Sequence, residues 1–219
     1  MFWDQAISLA FFLLPALYVV YCWKWGSITT STVSMVVFGI LASLGSGKII
    51  PMFCVEVAGG STFIPATFVL LALVAKKYSN KAAFDALNVV TFALLLFSVA
   101  QARWWAFSFF TPEETTHTFR ASELAFKNAL LTTILIYISG LFLLSARKAP
   151  MDVKPIIRTW VPVFLDILLT MPISLLSVYW MQGNNPDVIT ESLVVSTIMV
   201  RMIIPIGLLA YVLWDTRGK

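Results

Sequence analysis

The chain has 219 residues, of which 59% are hydrophobic and 12% are charged, and its mean hydropathy is +0.88. Soluble domains carry about 25% charged residues, so this composition excludes an ordinary soluble protein and indicates one that is embedded in a lipid bilayer. The formal net charge is +4. Basic residues gather in the cytoplasmic loops of membrane proteins, so this excess predicts a membrane protein with no nucleic-acid partner.

Seven apolar stretches approach the length of about 20 residues that a helix needs to cross a bilayer. They lie at approximately 5–23, 32–53, 61–75, 83–105, 124–145, 159–180 and 192–214. The third is short, and Pro65 and the preceding Gly59-Gly60 predict an irregular or tilted start. With short loops the seven stretches fill residues 1–219, so we expect an all-α polytopic helical bundle that forms a single transmembrane domain.

The charges of the connections predict the orientation of these helices. Alternate connections are basic, and their residues are Lys24, then Lys76, Lys77 and Lys81, then Arg147, Lys148, Lys154 and Arg158, and finally Arg217 and Lys219. The other connections carry the acidic residues Asp4, Glu113, Glu114, Glu123, Asp187 and Glu191. Because Lys and Arg mark cytoplasmic loops, we predict seven spans in the inner (plasma) membrane, with the N-terminus outside and the C-terminus in the cytoplasm.

The start of the chain does not resemble a cleavable signal peptide. A signal peptide begins with a basic region, whereas Met1-Phe2-Trp3-Asp4 carries an acid and no Lys or Arg. The first helix is therefore expected to remain in the protein.

Cysteine and histidine usage predicts neither a disulfide nor a metal site. Cys22 and Cys54 are expected near opposite faces of the membrane, too far apart to bridge. His117 stands alone in a predicted polar loop, and no CxxC or His/Cys cluster occurs. We therefore expect no metal and no cofactor.

Two ionisable residues fall inside predicted spans, where charges are costly and often functional. Asp166 lies about one and a half turns inside the sixth span, and Arg201 lies about nine residues into the seventh. Asp166 is interpreted either as a hydrogen-bond acceptor or protonation site for a substrate, or as half of a structural ion pair. Arg201 could pair with Asp166 inside the bundle or extend its side chain towards the membrane surface.

Other charged residues lie near the predicted outer surface. Lys48 follows Gly45-Ser46-Gly47, where the glycines permit close approach of a backbone or a ligand, and Glu56 follows soon after. These two residues either line an outward-facing mouth or form a solvated loop pair. Lys127 follows Glu123 by four residues, the spacing of a helix-surface ion pair.

The second and third spans resemble the vitamin uptake transporter (VUT) family, whose best-known members are queuosine-precursor transporters. The resemblance rests on Leu41–Ile50, which ends in Lys48-Ile49-Ile50, on Gly59–Thr67 with its Phe63-Ile64-Pro65-Ala66-Thr67, and on Lys77–Ala83. More loosely, Asp166 falls in the helix that carries the family's Asp-Thr element. Arg201, Pro205 and Tyr211 stand where the family's last helix has Lys, Pro and Tyr. The likeness covers about residues 33–214.

The chain also departs from the family pattern. Ala72 and Lys76 stand where the family has an Asp and a Glu, Ser79 replaces a Gly, and Val163 replaces a polar residue three positions before Asp166. Because the lost acids would alter substrate hydrogen bonding or proton coupling, the chain is expected to be a divergent member. The resemblance implies a six-helix transporter core preceded by an extra N-terminal helix.

The resemblance further implies a non-enzymatic importer of a small planar molecule such as preQ0, preQ1, or a related nucleobase or vitamin. Asp166 would accept hydrogen bonds from an amidine-like edge of the substrate or exchange a proton, and Arg201 would balance its charge. The remaining candidate substrate-binding residues are Lys48, Glu56, Phe63 and Thr67, with Trp104 and Trp105 as further stacking candidates.

Two alternatives to the importer stay open. One is a non-transporting, ligand-binding membrane subunit, similar to the substrate-binding component of an energy-coupling-factor transporter. The other is an intramembrane enzyme that depends on Asp166 or His117. The expected partners are a small-molecule substrate and the lipid bilayer, with a homo-oligomer or separate energising subunits as further options.

Overall fold

The computed structural model describes residues 2–45, 48–52, 55–107, 115–148, 164, 166–183 and 185–215. These residues are mostly helical. The helices are α1 (Phe2–Lys24), α2 (Ile28–Gly45), α3 (Phe63–Lys77), α4 (Asn80–Phe107), α5 (Thr115–Lys148), α6 (Met171–Met181) and α7 (Glu191–Asp215). A π-helical turn (Asp166–Thr170) leads into α6, and a 3₁₀ turn (Pro186–Val188) precedes α7.

Helix α3 lies at the centre of the bundle. Twelve of its fifteen residues are buried, and it contacts α1, α2, α4, α5 and α7. A helix that is apolar on all sides has no face for water, so its composition predicts such a central position. Pro65 fits because it lies in the first turn, where its missing N–H would have no partner inside the helix.

The predicted all-α membrane architecture is confirmed in outline, and the one small sheet of the described residues is a two-stranded β-hairpin between α2 and α3. The predicted second span, 32–53, is wrong at its end: α2 stops at Gly45, and β1 (Ile49–Met52) pairs antiparallel with β2 (Val55–Ala58). The physical reason is local. Glycine weakens the helix after Leu44, Pro51 cannot donate a helical hydrogen bond, and the β-branched residues around it favour strands.

The hairpin returns the chain to the bundle interior. Val57 and Ala58 are buried, whereas Val55 and Glu56 are exposed. The turn that follows depends on Gly60, whose φ of +82° is unfavourable for other residues. Gly59 is pressed against α2 so closely that a Cβ there would lie 1.9 Å from the Gly45 carbonyl oxygen. The predicted irregular start of the third span is therefore confirmed.

The outer surface of the bundle is unlike that of a soluble protein. Large apolar side chains point outward from several helices, such as Leu17 on α1, Phe92 and Val99 on α4, and Met199 on α7, each more than half exposed. Buried positions include many hydroxyl side chains, among them Ser98, Thr133 and Ser174. Apolar outer surfaces of this extent indicate contact with lipid.

Three helical segments among the described residues are long and apolar enough to cross a membrane: Ile28–Gly45, Asn80–Ala102 and Ala125–Ser145. Two shorter apolar helical segments occur at Leu13–Lys24 and Asp166–Trp180. The structure thus has a largely helical architecture with three candidate spans, which indicates insertion into a membrane. Part of the predicted sixth span, residues 159–163 and 165, lies outside the described residues.

Some predicted features of the loops also need correction. Helix α5 begins at Thr115, so the backbone of His117 is helical and not part of a polar loop. Threonines at 115 and 116 favour a helix start, which explains the earlier boundary. The Glu123–Lys127 ion pair is confirmed, with 2.5 Å between Oε1 and Nζ. Cys22 is buried and unbridged, while Cys54 lies outside the described residues.

We predict that Gly59→Ala destabilises the protein. The added methyl group would overlap the Gly45 carbonyl, a backbone atom that cannot move aside without shifting α2, and overpacking of this kind costs about 1–3 kcal/mol. Thermal unfolding of the purified protein in detergent would show this as a lower Tm. The matched control is Gly207→Ala in α7, where no atom lies within 4 Å of the added Cβ. A Tm for Gly59→Ala equal to that of Gly207→Ala would contradict the tight contact.

Candidate functional site

The two ionisable residues predicted at membrane depth meet inside the bundle. Asp166 opens the π-helical turn that leads into α6, and Arg201 lies in α7. Both side chains have 0% exposed surface. An Nη atom of Arg201 donates to Oδ1 of Asp166 at 2.8 Å. Arg201 therefore pairs with Asp166 inside the bundle and does not extend towards the membrane surface.

Two hydroxyl side chains complete the contacts of the guanidinium. The nitrogen that binds Asp166 also donates to Oγ1 of Thr170 at 2.7 Å, and the other Nη donates to Oγ of Ser174 at 2.6 Å. The Thr170 hydroxyl donates in turn to the Asp166 carboxylate and to its backbone carbonyl. We call these four residues, Asp166, Thr170, Ser174 and Arg201, the polar network.

The spacing of the residues explains why they converge. Asp166, Thr170 and Ser174 are four residues apart, so they lie along one face of a helix. The π-helical turn widens the backbone at the start of this face, a feature that is frequent at functional sites. Arg201, on the neighbouring helix α7, is long enough to reach all three side chains. The sequence predicted the two charged residues but not the two hydroxyl residues, which follow Asp166 at intervals of four residues.

Because both side chains are buried, loss of the ion pair would strongly destabilise the protein. Transferring an unpaired ionised side chain from water to an apolar interior costs more free energy than its other contacts return. A charge that is paired there is tolerated. Removing one member of such a pair typically costs about 3–5 kcal/mol, because its partner is left buried and uncompensated. The network thus fixes α7 against the segment from Asp166 to Ser174.

The network retains unused hydrogen-bonding capacity. Oδ2 of Asp166 and Nε of Arg201 are buried and have no hydrogen-bond partner in the described part of the chain. One atom is an acceptor and the other a donor. Buried polar atoms are nearly always paired in native proteins, so these two atoms are sites at which a water molecule or a ligand would bind. The pair could bind a ligand group that presents both a donor and an acceptor.

The network is also linked to the hairpin. Thr197 lies one turn before Arg201 on α7 and is fully buried, and its Oγ1 accepts a hydrogen bond from the backbone N–H of Ala58 at 3.0 Å. Val57 packs against Val200 on the same helix. One face of α7 therefore carries both the arginine of the network and the contacts that hold β2.

The other predicted substrate-binding residues lie at the hairpin and on α3. Lys48 and Glu56 are exposed, at the start of the hairpin and on β2. Phe63 and Thr67 are buried in α3, where Phe63 packs on Phe38 with 5.9 Å between ring centroids and Thr67 donates to the Phe63 carbonyl. No hydrogen bond or ion pair of the described residues joins any of the four to Asp166. The side chains of Trp104 and Trp105 lie outside the described part.

The chemistry available to the network is hydrogen bonding and charge compensation. It contains no thiol, and among the described residues no group of three or more His, Cys, Asp or Glu side chains is placed to hold a metal ion. Its hydroxyls are committed to the carboxylate, the guanidinium or a helix carbonyl.

Comparison with known proteins adds no relative. No protein-family model matches the chain, and neither the curated proteins nor the solved structures contain a match.

Proposed function

We propose that the chain is a membrane importer of a small polar molecule and that Asp166 and Arg201 bind its substrate. The observation that carries this proposal is that Oδ2 of Asp166, an acceptor, and Nε of Arg201, a donor, are both buried and have no hydrogen-bond partner among the described residues. Intramembrane ionisable residues commonly mark substrate pathways. A ligand edge with one N–H and one neighbouring acceptor would satisfy both atoms at once.

The surrounding structure supports the same proposal. Substrate sites of transporters often lie where helices are interrupted, because freed backbone groups and small residues make room for a ligand. Here the π-helical turn interrupts the helix at Asp166, and a hairpin interrupts the path from α2 to α3. Both interruptions contact α7. Movement of the hairpin against α7 would open a route to the network.

For the substrate we propose a planar deazaguanine such as preQ0 or preQ1. This part of the proposal rests on the resemblance of residues 33–214 to the VUT family and on the geometry of the network. A lactam or amidine edge carries a hydrogen-bond donor next to an acceptor. The donor would pair with Oδ2 of Asp166 and the acceptor with Nε of Arg201, which have no partner among the described residues. Ala72 is partly buried in α3. Because this alanine replaces an acid of the family pattern, the chain would recognise the substrate with fewer carboxylates.

The function predicts that Asp166→Asn abolishes uptake. Asparagine keeps the size of the side chain but removes its charge, and loss of a charge-assisted hydrogen bond costs about 1.5–3 kcal/mol, which corresponds to at least about a tenfold loss. The chain is expressed in a bacterium that neither makes nor imports preQ0, preQ0 or preQ1 is supplied at low concentration, and queuosine in tRNA is measured by mass spectrometry.

The matched control for this experiment is Asp187→Asn, the same chemical change at an exposed residue before α7. It is expected to restore queuosine as well as the wild-type chain does. Membrane fractions are blotted to show equal amounts of each variant. Normal queuosine with Asp166→Asn would refute the role of Asp166. No queuosine with the wild-type chain present in the membrane would refute the proposed substrate.

We also propose seven spans with the N-terminus outside and the C-terminus in the cytoplasm. The support is the alternation of basic and acidic connections around the helices. The proposal predicts that a C-terminal alkaline phosphatase fusion is inactive and a C-terminal green fluorescent protein fusion is fluorescent, because the former needs the periplasm and the latter the cytoplasm. Fusions after Asp187 are expected to give the reverse pattern. An active phosphatase at the C-terminus would contradict the orientation.

A further inference from the structure

A group of basic side chains gathers at one end of the bundle, apart from the polar network. Lys24 ends α1, and Lys76 and Lys77 lie in the last turn of α3. All three are exposed. We call Lys24, Lys76 and Lys77 the lysine cluster. It belongs to two helices that pack against each other, so the fold, and not sequence proximity alone, brings its charges together.

Aromatic rings and backbone carbonyls hold the cluster in place. The ammonium of Lys76 lies 5.6 Å from the centroid of the Trp23 ring, and that of Lys24 lies 5.9 Å from the centroid of the Trp25 ring. Nζ of Lys77 donates to the carbonyls of Trp23 and Gly26, each at 3.0 Å. These contacts preorganise the ammonium groups, which lowers the conformational entropy lost when they bind an anion.

The surface beside the cluster is suited to the membrane interface. Trp25 is 71% exposed, and Tyr21 and Tyr78 are each more than 40% exposed. Trp and Tyr favour the headgroup region of a bilayer. A small cleft between α1, α2 and α3 is lined by residues that include Cys22, Leu70, Val74, Lys77 and Tyr78. Charged, aromatic and apolar side chains thus lie side by side at this end of the bundle.

We propose that the lysine cluster is a binding site for the headgroup of an anionic phospholipid. The phosphate would interact with Lys24 and Lys76, and the glycerol backbone would lie against the exposed rings of Trp25 and Tyr78. A lipid fits better than a soluble anion because the cluster adjoins apolar surface on α1 and α3. The proposal rests on membrane insertion alone and is independent of the importer proposal.

The exposed acid Asp85 lies on α4, a helix outside the cluster. It follows Lys81 by four residues, the spacing at which a helix-surface acid offsets a neighbouring base. Within the described part of the chain, Lys76 and Lys77 contact aromatic rings and carbonyl oxygens. Their positive charge is therefore available to a phosphate group.

The test is lipid binding to the full-length protein, measured by native mass spectrometry in a neutral detergent. Phosphatidylglycerol and phosphatidylcholine with the same acyl chains are compared, and inorganic phosphate is added as a competitor. The variants are Lys24→Gln, Lys76→Gln, their combination, and the charge-preserving Lys76→Arg. Lys127→Gln is the matched control, since it removes an exposed lysine that is already paired with Glu123.

We expect the wild-type protein to retain phosphatidylglycerol in preference to phosphatidylcholine. Removal of each lysine should weaken this binding by about fivefold, the contribution of one basic residue near an anionic membrane surface. Lys127→Gln and Lys76→Arg should remain within about twofold of the wild type, since they change a distant paired charge or no charge. Equal retention of both lipids by the wild-type protein would overturn the proposal, as would undiminished binding by the doubly substituted protein. Displacement of the lipid by millimolar phosphate would assign the site to a soluble anion instead.

Discussion

A carboxylate and a guanidinium without access to water can coexist in a helical bundle only if they satisfy each other. Asp166 and Arg201 are both completely buried, and 2.8 Å separates their bonded atoms. The electrostatic cost of separating them exceeds that of most single contacts in the bundle. The pair therefore fixes the lateral position and the depth of α7 relative to the segment that leads into α6. Thr170 and Ser174 take up two further donors of the guanidinium, which leaves it little rotational freedom.

The position of α7 in turn determines that of the hairpin. Thr197 binds the backbone of Ala58, and the turn after Ala58 places Gly59 against the end of α2. The chain of contacts runs from the ion pair through α7 and β2 to α2. A ligand that bound Asp166 or Arg201 would alter the pair and would bias every contact in this series.

The general architecture was predictable because hydropathy and loop charge are strong signals. The sequence identified an apolar helical protein, the two buried charges and the Glu123–Lys127 pair. It did not predict the hairpin, because the apolar residues that follow Gly47 read as a continuation of the second span, whereas Pro51 and the β-branched residues around it favour strands. The hydroxyls of Thr170 and Ser174 were missed because Ser and Thr are common in membrane helices, and only their contacts with Arg201 distinguish these two.

The roles of Lys48, Glu56, Phe63 and Thr67 in substrate binding stay a prediction. Their order along the chain resembles a family pattern, but order does not fix which side chains share a face. The hairpin places Lys48 and Glu56 at the surface, while Phe63 and Thr67 pack within α3. Asp166 and Arg201 differ because an acid and a base inside an apolar bundle have few other partners. Their opposite charges and their predicted burial together indicate that they pair.

The central claim is that Asp166 and Arg201 act as one unit, and a double-mutant cycle tests it most directly. Chemical unfolding in detergent is compared for Asp166→Leu, Arg201→Met, the double variant and the wild-type protein. Each single substitution is predicted to cost about 3–5 kcal/mol. The double substitution is predicted to cost less than the sum, with a coupling energy of about 1–3 kcal/mol. Single losses that add to within about 0.5 kcal/mol would show that the residues act independently and would contradict the account.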